Sequence, residues 1–527
     1  MFGTGLFGST PYGTADGADL SVISPFEEYL ANPDARRQYL LDAEFWDPGA
    51  GALVPIGYGA GQGFETRFFR PFLVDAVQFE TRLFGSISRI QPAESPTTGD
   101  IGIDISAALD DGLCDYFVDG RDLAVKLGFD GFTFGQHQPV FVGTAEFARW
   151  DLRRYSIALR DASSKVDRLL QTNRYAGTGG LEGGDDIKGV VKPKWYGACF
   201  NVPGRMVDRA NLVVDFHDGE MDSIDVLYDK AEEWPIDSDV ADETALYAWT
   251  PVSGHAITCN AIGKARLGSV PLGSVTADGT GDATGGYVDT AADIARRILQ
   301  AQGGLADSAL DVAAFSQLAI DQPARVGVFI ADEARMMDVV RQVLGSIFGW
   351  ATFTRTGLIS VGRFEIATPV DEITEADIVS IQALAPELPS WRRSLGYRRS
   401  WLKQDADAVS VAATAARKDF VGQEFRRAPW EDATILVPHP LAEDVSIDTL
   451  LVDEADAQDE ADRQGALCGP LRPPYQVVLK DKQFRRRLGE TVTLTHPRFG
   501  LSGGRDCVIV RLGENTTTQR TTLELWG

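Results

Sequence analysis

At 527 residues the chain exceeds what one hydrophobic core supports, so three or four domains are expected. An apolar fraction of 44% and an aromatic fraction of 9% are those of a folded protein and exclude a disordered one. The 50 Lys and Arg stand against 76 Asp and Glu, a net charge of −26, which argues against a nucleic-acid-gripping surface because phosphate affinity needs clustered cations.

Residues 1–36 are rich in Gly, Ser, Thr and Pro, with Phe2, Phe7 and Tyr12 spaced along them. Such a segment buries little surface by itself, and its aromatics favour an arm that orders against a neighbour over a floppy leader. The opening residues lack the basic region and continuous apolar core of a signal peptide. No apolar run approaches the ~20 residues a membrane helix needs, so a soluble protein with no stable membrane insertion is expected, one that leaves its cell by lysis if at all.

A first β domain is expected over 37–170. Tyr39-Leu-Leu-Asp-Ala-Glu-Phe-Trp46 alternates, Asp47-Pro-Gly-Ala-Gly51 turns, and Ala52 to Tyr58 returns as a hairpin. Further strands are predicted at Ile101–Ile105, Leu123–Leu127, Pro139–Val142 and Arg154–Leu159, a spacing that suits a barrel or sandwich. Residues 171–286 read as a β-rich connecting domain that opens on a glycine-rich loop. Within it Arg209–His217, the Asp218-Gly219 turn and Ser223–Tyr228 read as a hairpin, and the Gly/Asp/Thr stretch Ala277–Gly286 as a linker.

Residues 287–365 read as a small α/β domain. Helices are predicted over Tyr287–Leu299 and Glu333–Phe348, with strands at Phe329, Trp350–Phe353 and Leu358–Val361. From 366 to 527 the chain returns to β structure at Trp391–Trp401, Ala408–Ala412 and Tyr475–Leu479, with a helix over Asp453–Leu467. The terminal runs Leu488–Gly504, Asp506–Leu512 and Arg520–Gly527 alternate apolar with polar residues between Gly or Asn clusters, as short antiparallel strands do.

Catalytic signatures fail on spacing. Gly177-Thr-Gly-Gly-Leu-Glu-Gly-Gly184 with Lys188 lacks both the spacing and the hydroxyl of a phosphate-binding loop, and Glu182 stands where a dinucleotide fingerprint needs its third glycine. Asp215-Phe-His217-Asp218-Gly-Glu220 would put Asp215 and His217 on one strand face, a conceivable metal or acid–base pair. Against that, Asp218-Gly219 is a turn signal and His217 lacks a nearby second histidine. Adjacent carboxylates such as Asp110/Asp111, Asp185/Asp186 and Glu232/Glu233 arise freely among 76 acids. His137, His217, His255, His439 and His496 lie outside catalytic contexts, and the sequence is read as holding no catalytic, cofactor or metal-binding residue. Cys114, Cys199, Cys259, Cys468 and Cys507 are odd in number and far apart, which suits reduced, buried thiols. Two basic patches interrupt the acidity: Arg392, Arg393, Arg398 and Arg399 among aromatics, and Arg485, Arg486 and Arg487. They could stack on bases, but with this overall charge a contact with acidic surfaces of sister subunits or another partner is favoured.

Leu488-Gly-Glu-Thr-Val-Thr-Leu-Thr-His-Pro-Arg-Phe-Gly-Leu-Ser-Gly-Gly504 with Thr522-Leu-Glu-Leu-Trp-Gly527 resembles the closing phrases of baseplate hub (tail tip) proteins of long-tailed, siphovirus-like bacteriophages. Tyr39–Trp46, Tyr175–Gly184 leading into Lys192-Pro-Lys-Trp-Tyr-Gly197, and Ala265–Ala277 fit the same family in the same order. The resemblance implies two β-barrel-like hub domains, 37–170 and 366–527, the second able to borrow strands from 171–286, around the small α/β domain. The fold class is therefore mainly β with an α/β insertion. It also implies a non-enzymatic virion protein of the tail baseplate, assembled in the host cytoplasm. A homotrimer would adapt the sixfold tube to a threefold tip, contact distal tail-tube and tape-measure proteins, anchor fibres or a spike, and meet phage DNA only in transit. The acidity would then serve either a non-stick channel or plain solubility. The alternative is a tail-associated glycan-binding or polysaccharide-degrading protein, although no fixed repeat of a β-helix is visible.

Overall fold

The computed structural model describes residues 25–32, 34–59, 61, 63–64, 67–92, 97–106, 108–480 and 483–527. Phe2, Phe7 and Tyr12 lie outside these described residues. The architecture is mainly β with an α/β portion, and its largest element is a 13-stranded sheet.

The predicted hairpin forms as strands Arg37–Asp47 and Ala52–Tyr58, with Phe45 opposite Val54. Alternation explains it: Leu41, Ala43 and Phe45 point into the core while Glu44 faces outward. The sheet continues through Asp122–Phe129, Gln138–Trp150, Arg154–Arg160, Thr97–Asp104 and Leu73–Arg82. It then crosses to Arg505–Asn515, Arg520–Trp526, Pro474–Lys480 and Ile378–Ala383, with Thr491–Leu494 and Asp371–Ile373 branching from Arg505–Asn515. Strands from both ends of the described chain thus share one hydrogen-bonded surface.

The crossing is an antiparallel seam in which Arg82 faces Arg511 and Asn515 faces Gln78. Like charges directly opposite would repel. Glu80 at 2.5 Å and Glu524 at 3.7 Å from Arg511, with Glu524 also 3.8 Å from Arg82, turn the pair into an alternating quartet. At the seam's end Thr516 Oγ1 accepts from Val77 N at 2.9 Å and donates to Val77 O at 2.8 Å, replacing a ladder rung. Glu514 is buried within the seam, its oxygens accepting from Phe484 N at 2.9 Å and Thr521 Oγ1 at 2.8 Å. Burial pushes its carboxyl up to about 7, against those bonds and the nearby Arg355 and Arg37.

Two five-stranded sheets occupy the middle. One orders Glu232–Trp234, Met221–Asp229, Val275–Asp282, Lys194–Pro203 and Gly327–Ile330; the other orders Arg205–Asp208, Val213–Asp215, Lys264–Leu267, Ala256–Cys259 and Ile236–Asp239. Two sequence expectations fail here. The stretch read as a linker from 277 onward is largely strand Val275–Asp282, the central strand of its sheet. Its glycines serve close approach rather than flexibility: a Cβ on Gly279 would sit 2.4 Å from Ser223 O, and one on Gly281 2.3 Å from Trp195 O. The Asp218-Gly219 turn does not close a hairpin either, because Val213–Asp215 pairs within the second sheet and Met221–Asp229 within the first. The turn carries the chain between sheets.

Helices Ala291–Arg297, Val312–Asp321 and Met336–Gly345 pack with the hairpin Gly349–Phe353/Ile359–Arg363 around Ile294, Ile298, Phe315, Val340 and Leu344. Thr290 caps the first, accepting from Asp293 N at 3.2 Å, and Asp311 caps the second, accepting from Ala314 N at 3.3 Å. The second was not anticipated from sequence. Helix Glu454–Cys468 packs on the three-stranded sheet Arg426–Glu431, Ser390–Tyr397, Glu443–Asp448. The strand expected over 408–412 is instead a turn, and Val409 is buried beside Ala231 and Val421.

Two outcomes are expected. Gly281→Ala should lower stability by ~1–3 kcal/mol through overpacking, whereas Gly503→Ala, with nothing near its added carbon, should change the urea midpoint little. Glu514 has a folded pKa above that of an unfolded glutamate, so its stabilising contribution is full in acid and lost as pH rises through 7. Raising the pH from about 5.5 to about 8.5 should therefore lower the wild-type midpoint more than that of Glu514→Gln.

Candidate functional site

Two stretches that carry the family resemblance, 175–197 and 265–277, flank one buried polar cluster. Asp215 ends strand Val213–Asp215, directly opposite Lys264. Lys264 Nζ donates to Asp215 Oδ1 at 3.1 Å and to Ile262 O at 3.1 Å, and Tyr175 OH donates to Asp215 Oδ2 at 2.6 Å. Asp215 has 0% exposure, which excludes solvent and substrate alike. Burial raises its carboxyl pKa, with Lys264 and the Tyr175 bond opposing, and burial followed by the Asp215 charge drives the Tyr175 phenol far upward. The triad is a neutralised anchor that ties the glycine-rich loop to the sheet.

A second group centres on His217. Its Nδ1 accepts from Trp195 N at 2.9 Å, which assigns the proton of the neutral ring to Nε2. Nε2 faces Asp282 Oδ1 at 3.7 Å, too long for a hydrogen bond, and has no other partner. Burial lowers the His217 pKa, so the ring stays neutral. Burial alone would raise Asp282, yet the facing His217, Thr284 Oγ1 at 2.9 Å and Arg297 at 2.6 Å hold it below the usual carboxylate range. Beside it Asp218 accepts from Gln171 at 2.9 Å and Asn173 at 2.8 Å, and Lys194 donates to its carbonyl. Asp215 and His217 therefore serve different partners and do not form a joint metal or acid–base pair. Among the described residues no group of three His, Cys, Asp or Glu side chains converges as a metal site.

The glycine-rich loop is held shut by its own side chains. Glu182 accepts from Ala176 N at 3.1 Å and pairs with Lys192 at 2.6 Å, and that Lys192 bond, ahead of the backbone one, lowers its pKa. Gly177 N donates to Glu182 O at 2.9 Å and Gly179 N to Gly183 O at 2.7 Å, so these amides are not free to cradle a phosphate. Tyr175 opens a stretch noted in the sequence, but the significance of Lys264 and Asp282 was missed. The available signal was a lysine inside the apolar run Ile262-Gly-Lys-Ala-Arg-Leu267.

The arginines separate sharply. Arg393 is fully buried and donates to Gln464 Oε1 at 2.9 and 3.2 Å and Ser390 Oγ at 3.2 Å. Arg486 is buried and paired with Asp371. Arg392 meets Glu431 at 2.9 Å and Asp444 at 3.4 Å, and Arg399 meets Glu424 at 2.8 Å. Arg398 and Arg487 are exposed and Arg485 is half-buried. Trp234, Trp249 and Trp430 are half-buried rather than displayed on loops. Four of the five cysteines are buried, Cys114 is partly exposed, and none is bonded to another.

No protein-family model matches the chain, and no curated protein does. Among solved structures the chain is similar to a tail protein from Neisseria meningitidis MC58 (10% identity, 93% of this chain and 96% of that chain, TM-score 0.38). It is similar also to the 43 kDa tail protein of prophage MuSo2 from Shewanella oneidensis (9%, 93% and 98%, TM-score 0.38). A chain in the virion of a native gene transfer agent particle is a third (12%, 64% and 84%, TM-score 0.43).

Removing one partner of the buried pair should be severe: Lys264→Met is expected to cost ~3–5 kcal/mol because Asp215 is left buried with an unpaired charge. The double variant Asp215→Leu/Lys264→Met should lose less than Lys264→Met alone, as read from urea unfolding of both.

Proposed function

We propose that this chain is a structural component of a phage tail, the central hub of a siphovirus-like baseplate. One observation carries the reading. The hub-like phrases from opposite ends of the chain, Tyr39–Trp46 and Leu488–Gly504 with Thr522–Gly527, are built into strands of one sheet, and the two middle phrases flank one buried cluster. Segments that resemble one family in sequence order therefore also share a sheet or border one buried cluster.

In this reading three copies form a ring that closes the distal tail tube and adapts its sixfold symmetry to a threefold tip. Residues 37–170 and 366–527 are the two barrel-like units, 171–286 connects them, and 287–365 is the α/β unit. The ring contacts the tape-measure protein, anchors fibres or a spike, and passes DNA on ejection. Residues 1–36 act as an arm, with Phe2, Phe7 and Tyr12 as anchors against a neighbour. Arg392, Arg398, Arg399, Arg485 and Arg487 supply subunit or partner contacts, whereas Arg393 and Arg486 are buried and paired inside the chain. The role is non-enzymatic, a reading supported by Asp215 and Lys264 being buried and paired with each other and by His217 being buried with its Nδ1 taken up by Trp195 N.

Light scattering of the purified protein with negative-stain imaging is expected to give a ring of about three times the 57.2 kDa chain mass. A monomer at every concentration would remove the ring. Incubation with capsular or cell-wall polysaccharide is expected to release no sugar; release would move the assignment to the glycan-degrading alternative.

A further inference from the structure

Arg398 stands out by the way the fold presents it. It follows strand Ser390–Tyr397 and adopts a φ of 45°, a left-handed conformation that a long side chain rarely takes. The strain is held from both sides: Arg398 N donates to Leu451 O at 2.7 Å, and Arg398 O accepts from Arg426 Nη1 at 3.1 Å. The result is an exposed guanidinium lying 4.6 Å from the centre of the Phe200 ring and 5.9 Å from that of Phe420, two rings set edge to face 6.3 Å apart.

The arginines around it are satisfied within the chain. Arg399 pairs with Glu424 at 2.8 Å, Arg417 with Asp278 at 2.7 Å and Asn201 Oδ1 at 3.0 Å, and Arg427 with Asp448 at 2.6 Å. Arg426 donates to the carbonyls of Phe420, Gln423 and Arg398. Among the described residues no carboxylate lies within ion-pair distance of Arg398, and its guanidinium makes no hydrogen bond. A planar fork fixed on an aromatic shelf has surrendered its conformational freedom in advance and keeps all its donors for an incoming planar anion.

We infer that Arg398, seated on Phe200 and Phe420, receives a surface carboxylate of a second copy of this chain. The occupant follows from charge complementarity. Each copy carries a net charge of −26, so copies repel unless a local cation meets an acidic surface, and every copy brings such a surface with it. A polyanion such as nucleic acid would need several unneutralised cations side by side, whereas the neighbouring arginines here are already engaged. The inference rests on the ring reading and names one of the contacts that would hold the ring.

The test uses the full chain and variants whose side chains tolerate the left-handed backbone: Arg398→Asn, which removes the charge, and Arg398→Asp, which reverses it. Arg427→Gln serves as the control, since Arg427 is exposed and paired internally. Assembly is followed by sedimentation velocity across a dilution series, with thermal scans to verify that each variant is folded. Wild type and Arg427→Gln should assemble alike, Arg398→Asn should weaken assembly at least about tenfold, and Arg398→Asp more still. If both Arg398 variants assemble as wild type does, the inference is overturned and the ring stands. If wild type is monomeric throughout, the ring falls and the inference with it. If Arg427→Gln weakens assembly equally, a general charge effect replaces the specific contact. If a single-stranded oligonucleotide binds wild type and not Arg398→Asn while assembly is unchanged, phosphate rather than a subunit carboxylate is the ligand.

Discussion

The antiparallel seam between Leu73–Arg82 and Arg505–Asn515 is the constraint on which the largest sheet depends. Without it the strands before residue 160 and those after 370 would be two sheets with an open edge each. Edges of that kind invite pairing with other chains. The seam is specified by more than backbone rungs. Its charges alternate across the strands, its end is stitched by Thr516 around Val77, and a carboxyl that gains its proton near neutrality sits in its interior. Register is strongly fixed in such a strand, because a one-residue slip would carry Glu514 to the opposite face and take Val508 and Val510 out of one core cluster and Cys507 and Ile509 out of another.

The middle of the molecule solves a different problem, how to bury polar chemistry without leaving it unpaired. Lys264, Asp215 and Tyr175 satisfy one another, and Asp282 is held between Arg297 and the His217 ring. Groups of these types at an open cleft would suggest catalysis. Sealed and mutually bonded, they instead fix how a loop and two sheets meet, since a misfit in any one leaves a charge in a medium that solvates it poorly. The orphaned Nε2 of His217 is the point at which this arrangement is least complete.

Much of the local structure was legible because it obeys period and punctuation. The hairpin Arg37–Asp47/Ala52–Tyr58 could be read from alternation and the Asp47-Pro-Gly turn, and helix Glu454–Cys468 from its acidic start. What escaped depends on neighbours distant in sequence. Gly279 and Gly281 look like linker residues until Ser223 and Trp195 are known to press against them. Asp218-Gly219 has the composition of a hairpin turn, yet the strands on either side find partners in different sheets. Of the candidate site, Asp215 and His217 were visible as a cluster, but their separation was not: their partners Lys264 and Asp282 lie 49 and 65 residues further on. The basic patches were equally visible as composition, and only packing divides Arg393, locked inside, from Arg398, held outside.

The seam also sets a schedule for the ribosome. Strand Leu73–Arg82 emerges early and its partner Arg505–Asn515 only after more than 400 further residues, a delay of roughly 20–80 s at ordinary elongation rates. Through that interval the rest of the early sheet can form while one of its edges waits without its final neighbour. The chain is most vulnerable to pairing with another nascent copy during its own synthesis, before the last strands arrive to occupy the place.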